Sequence, residues 1–133
     1  MICASEAQED LSARLGSKTV SPVTPTWNDD VSACTYQYVN GGFKLSVKQL
    51  PDETSTKRYF TRLAVQLGRE KMSAGLGQCA FTTKDGSVVV NKDDKVLLVD
   101  VQRLPAQLGV PADTRGNVAI GVAATIVGCW TGA

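Results

Sequence analysis

Four cysteines and no histidine set the tightest bounds on what this chain can fold into and do. Cys3, Cys34, Cys79 and Cys129 stand 31, 45 and 50 positions apart, so no close Cys-x-x-Cys pair exists to make half of a zinc site or a redox motif. An even number of widely spread cysteines in a small chain fits two disulfides and an oxidising compartment outside the cytosol. Four buried free thiols in a cytosolic chain are the alternative, because cysteine also packs as a small hydrophobe. Each cysteine falls near the edge of a recognisable element. This favours Cys3–Cys34, tying a first helix to a first strand, and Cys79–Cys129, tying a central strand to the C-terminal segment. Loops of that size stabilise by about 3–4 kcal/mol each when closed, in the chain-entropy account.

The missing histidine removes the commonest general base, the Ser-His and Cys-His nucleophile pairs and mixed Cys/His zinc shells. With 133 residues, 43% of them hydrophobic and 20% charged, there is material for one folded domain spanning 1–133. Fourteen Lys and Arg against 13 Asp and Glu leave a net charge of +1, too little to hold a phosphate backbone by long-range attraction, so nucleic acid is not an expected partner. No stretch approaches the roughly 20 apolar residues of a membrane-spanning helix. The first residues show helix-cap chemistry in place of a signal sequence, so Met1 reads as a start placed on a mature chain whose signal has been removed.

Ser5 and Gln8 form a capping box, and Ala7, Leu11 and Leu15 repeat at helical spacing before Gly16, which predicts a helix over 5–15. Pro22, Pro25 and Trp27 follow in a segment read as an edge strand or loop leading to a turn at Trp27–Asp30. Alternation from Cys34 to Val39 and from Phe43 to Lys48 around Asn40-Gly41-Gly42 predicts a hairpin. Asp52 or Thr54 then caps a helix with the buried stripe Phe60, Leu63, Ala64 and Leu67, ending near Gly68. A three-stranded meander follows over 78–83, 88–91 and 95–102. The last apolar segment, with Asp113 or Thr114 as its cap, suits a helix through Ala119, Val122, Ala123, Ile126 and Trp130, although its glycines and β-branched residues leave a strand open. The expected fold is α+β: an antiparallel sheet of about five strands with two or three helices on one face, in the order α-β-β-α-β-β-β-α.

Candidate chemistry is sparse. Asp29/Asp30 and Asp93/Asp94 lack the alternating ligand spacing of a calcium loop and read as solvated turns. Gly75-Leu76-Gly77 lacks the third glycine of a dinucleotide fingerprint. Neither a metal nor a cofactor is expected. Charge is unevenly placed: Lys57, Arg58, Arg62, Arg69 and Lys71 face only Glu70, a local +4, while residues 1–35 carry a local −3. Arg58, Arg62 and Arg69 are expected on one helical face. That face is either an ordinary solvated surface or a docking surface for an anionic partner such as lipid headgroups, envelope polymers or an acidic protein. Trp27, if exposed, would serve as an interface anchor.

A cysteine opening a short helix (Cys3), Leu15-Gly16 closing it, Cys34-Thr35-Tyr36 starting a strand, Gly75-Leu76-Gly77 before the meander and Cys129-Trp130 near the end resemble the short exported domains, often lipoproteins, of actinobacterial envelopes. The resemblance implies an α+β domain with two disulfides, secreted or on the outer face of the cytoplasmic membrane, and it carries no catalytic residue. Together these readings point to a non-enzymatic binding module for a protein or envelope component. A carrier of a small apolar ligand or lipid, and a secreted enzyme inhibitor, are the alternatives.

Overall fold

Alternating and continuous apolar runs in this chain build one large antiparallel sheet, seen in a computed structural model that describes residues 25–28, 31–38, 41–72, 79–103, 107–108 and 113–131. The strands are β1 (Pro25–Asn28), β2 (Val31–Tyr38), β3 (Gly41–Gln49), β4 (Arg69–Met72), β5 (Cys79–Thr83), β6 (Val88–Lys92) and β7 (Lys95–Asp100), and the helices are α1 (Glu53–Leu67) and α2 (Arg115–Thr131). Two short strands, β8 (Gln107–Leu108) and β9 (Asp113–Thr114), pair with each other just before α2. The expected helix over 5–15 lies outside the described residues.

The seven strands lie in the order β1-β2-β3-β7-β6-β5-β4. Five longer strands form the centre, and the four-residue β1 and β4 form the edges. The expected hairpin and meander are both present, and the meander docks on the hairpin through antiparallel pairing of β3 with β7, Leu45 opposite Val99 and Val47 opposite Leu97. Pro25 sits on an edge strand, where the donor it lacks is not needed.

Helix α1 begins where expected. The Asp52 side chain accepts from the Ser55 backbone N–H at 2.7 Å, and the Thr56 hydroxyl donates to the Asp52 carbonyl at 2.6 Å. Gly68 ends the helix with φ 74°, in the left-handed region that costs glycine least. In α2 the first turn is capped by the Thr114 hydroxyl, which accepts from the Asn117 N–H at 3.2 Å. The final apolar segment is therefore a helix, with Val118, Ala119, Val122, Ala123 and Ile126 buried.

The two helices lie on opposite faces of the sheet, which corrects the expectation that they share one. One core holds Cys34, Tyr36, Phe43, Leu45, Ala80, Val88, Val90, Leu97 and Val99 beneath α2. The other holds Phe81, Val89 and Val96 beneath Phe60 of α1, with Leu63 and Ala64 packed against it. The cause is in the strands themselves. Val88, Val89 and Val90 are all fully buried, and successive strand residues point to opposite faces, so β6 needs cover on both sides. Each fully buried Val, Leu or Phe contributes about 1.5–3 kcal/mol. Tyr36 stacks on Phe43 with ring centroids 4.9 Å apart on the α2 side, and Phe60 meets Phe81 edge-on at 5.2 Å on the α1 side.

Candidate functional site: the outer ridge of α1

Because Phe60 and Thr56 turn α1 towards the sheet, residues half a turn away face water. Arg58, Arg62 and Val65 stand at i, i+4 and i+7 and form the outer ridge, with Val65 80% exposed. Lys57 beside them is paired with Glu53 at 3.0 Å, whereas Arg58 and Arg62 make no ion pair among the described residues. The Arg62 guanidinium lies over the Tyr59 ring, 5.7 Å from its centroid, a contact that holds its orientation and leaves the charge outward. Arg58 also acts on the helix start. The Ser55 backbone N–H, then the Ser55 hydroxyl and the charge of Arg58, hold the Asp52 carboxyl below its ordinary value.

Arg69 does not belong to this ridge. Gly68 turns the chain out of the helix, and Arg69 opens β4 opposite Thr83, so the expected three-arginine face is a two-arginine face flanked by an exposed valine. Trp27 lies on edge strand β1 opposite Ser32, and its side chain is outside the described residues.

Of the two expected cysteine pairs, Cys79–Cys129 is not formed. Cys34 is 1% exposed, belongs to the core under α2 and is disulfide-bonded. Cys79 is a free, half-buried thiol packed against the core under α1. The helix that carries Cys129 covers the other face of the sheet, which is why a Cys79–Cys129 bond is not formed. Cys3 lies outside the described residues.

A second polar feature was not foreseen. Where Leu67 ends α1, a shallow depression open to solvent is lined by Leu67, Thr83, Asp85, Ser87, Leu98, Asp100 and Gln102. Asp85 organises the β5–β6 turn: its carboxylate accepts from the Thr83 hydroxyl and, at 3.1 Å, from the Ser87 N–H. Burial pushes the Asp85 carboxyl up, but the Thr83 hydroxyl, the Ser87 N–H and hydroxyl and the Arg115 charge outweigh it and hold the group below its ordinary value. A carboxylate held ionised in this way serves as a turn acceptor, whereas a general acid at neutral pH needs its pKa raised. The Ser87 hydroxyl, 3% exposed with its residue, accepts from the Val101 N–H at 3.1 Å and so ties the turn to the end of β7. Asp93, by contrast, is the exposed turn residue expected, with φ 55°.

One more polar group was missed. Asn91 on β6 is only 5% exposed, and its Oδ1 receives no hydrogen bond from any described protein donor. Its signal in the sequence is a lone amide ending the run Val88-Val89-Val90. Among the described residues no group of three or more His, Cys, Asp or Glu gathers to hold a metal ion, and no helix is long and apolar enough to cross a membrane. No protein-family model, no curated protein and no solved structure matches this chain.

Proposed function

We propose that this chain is a non-enzymatic, exported binding module that docks through the outer ridge of α1 on an anionic component of the cell envelope. The observation that carries the reading is the pair Arg58 and Arg62, exposed and without ion-pair partners among the described residues, beside a valine that water surrounds on most sides. Two guanidiniums one helical turn apart match closely spaced phosphates or carboxylates, and a flanking apolar residue adds contact area at a headgroup layer. The disulfide at Cys34 supports the exported setting, because such bonds persist outside the reducing cytosol. The resemblance to exported actinobacterial domains points to the same setting, secreted or at the outer face of the cytoplasmic membrane. The carrier alternative draws no support from the depression at the end of α1, which is open to solvent and too small to enclose a ligand.

Sedimentation with vesicles tests the reading. Vesicles containing anionic lipid are expected to bind the protein, zwitterionic vesicles are not, and added salt weakens binding because exposed charges are screened over about 8–10 Å. Each basic residue near an anionic surface contributes about 1 kcal/mol, so Arg58→Gln with Arg62→Gln weakens binding by about 30-fold. Equal binding to both vesicle types, or a double variant that binds like the wild type, overturns the proposal. Salt-sensitive capture of an acidic protein with no vesicle binding would reassign the ridge to a protein partner.

A further inference from the structure

On the α1 side of the sheet, Cys79 and Asn91 are register partners across β5 and β6, and Val96 follows Asn91 in the same row on β7. Directly paired residues share a face, with Cβ atoms about 4.5–5.5 Å apart. The free thiol of Cys79 is half-buried and therefore reached by solvent, whereas Asn91 beside it is 5% exposed and presents an Oδ1 with no protein donor among the described residues. A thiol that can react and a buried acceptor that lacks a donor thus stand side by side. Cys79 packs against the core under α1, whereas Cys34 faces the core under α2, and Asn91 shares its row with Val96 of the α1-side core.

We infer that Cys79 and Asn91 form a modification site for a low-molecular-mass cysteinyl thiol, held as a mixed disulfide on Cys79 with its N–H hydrogen-bonded to Asn91 Oδ1. The inference is independent of the α1 ridge. In the reaction, Cys79 loses its proton to solvent and its sulfur attacks one sulfur of a small disulfide R–S–S–R. The R–S–S–R bond breaks, the Cys79 S–S–R bond forms, and the other half leaves as R–S⁻, which takes up a proton. Cys79 is oxidised, half of the small disulfide is reduced, and no further oxidant is required. A cysteinyl group carries its nitrogen three bonds from sulfur, a reach that spans neighbouring strands. The adduct supplies the donor that Asn91 lacks, so a thiol with an N–H near its sulfur is preferred over one without.

Intact-mass and peptide-mass measurement of the whole, folded chain provides the test. The probes are oxidised glutathione, which carries amide N–H groups, and 3,3′-dithiodipropionate, which carries carboxylates and no N–H. Oxidised glutathione is expected to give one adduct, at Cys79, that Cys79→Ser abolishes. In the wild type its mixed disulfide is expected to form about 5- to 10-fold more favourably than that of dithiodipropionate, and Asn91→Leu is expected to remove this preference. No Cys79 adduct without denaturant, or an equal response to the two probes in the wild type, overturns the inference. An Asn91→Leu variant that keeps the full preference overturns the role of the amide.

Discussion

Replacing Asn91 by leucine is expected to stabilise the unmodified protein, against the usual direction of a strand-interior substitution. The side chain is 5% exposed, and its Oδ1 has lost water without gaining a donor from any described protein group. An unsatisfied buried acceptor of this kind costs about 1–3 kcal/mol. Leucine keeps the heavy-atom count and branch point of asparagine and removes the orphan acceptor, at a modest cost in added volume beside its register partners Val96 and the half-buried Cys79. The expected gain is therefore about 1–3 kcal/mol. For a domain of this size it corresponds to a rise in Tm of about 3–15 °C, at roughly 3–5 °C per kcal/mol. Urea unfolding followed by circular dichroism is the assay, with the midpoint moving up and the m-value unchanged, since the buried surface hardly alters. Asn91→Asp is the control, because a carboxylate at the same place must be buried and so lowers stability. An Asn91→Leu protein no more stable than the wild type would show that the acceptor is satisfied, and would remove the basis for reading it as one half of a site.

Gly86→Ala is expected to destabilise by about 1–3 kcal/mol, because φ is 93° and a Cβ would meet the Gly116 backbone at 3.1 Å; Gly68→Ala, with φ 74° and open space around it, should cost less in the same melt. If both cost the same, the close approach of the β5–β6 turn to α2 contributes nothing. The Asp85 carboxyl sits below its ordinary value near 3.8, so its contribution is present above that value and is lost as pH falls through the lower folded value. Thermal melts from about pH 5 down to about pH 2 should therefore show the wild type losing stability relative to Asp85→Asn, and parallel curves would contradict the turn network described. Alkylation followed by peptide mapping without reduction should find Cys34 in a linked pair with Cys3 or Cys129 and Cys79 alkylated; a linked Cys79 in untreated protein would refute the face assignment.

Local patterning carried most of the fold. The β2–β3 alternation, the polar turns of the meander, the Asp52 cap and the Gly68 stop each act within a few residues, so the elements they define are where the sequence puts them. Facing was harder to read, although a signal for it existed. Three consecutive valines on β6 cannot all point into one core, and a run buried on both faces requires cover on both. The grouping of strands into hairpins with helices between the groups is what placed both helices together. The cysteines show the same limit: Cys34-Thr35-Tyr36 and Cys79-Ala80-Phe81 look alike in sequence, yet the first turns its cysteine and aromatic towards α2 and the second towards α1.

The ridge was half legible in the sequence and the thiol site was not. Arg58 and Arg62 belong to one helix, and helical spacing alone brings them together, whereas Arg69 was assigned to the same face only by extending that spacing past the glycine that ends it. Cys79 and Asn91 are twelve positions apart, and only the β5–β6 register makes them neighbours. A shift of one residue in that register would pair Asn91 with Ala80, which faces the α2 core, and would separate the acceptor from the thiol. The apolar sides of β5 and β6 fix the register by burying Phe81 with Val89 on one face and Ala80 with Val90 on the other. Core packing therefore sets the distance between the two polar groups, and a substitution such as Val90→Asn, which weakens the register from the opposite face, should blunt the probe preference at Cys79 without touching either residue of the site.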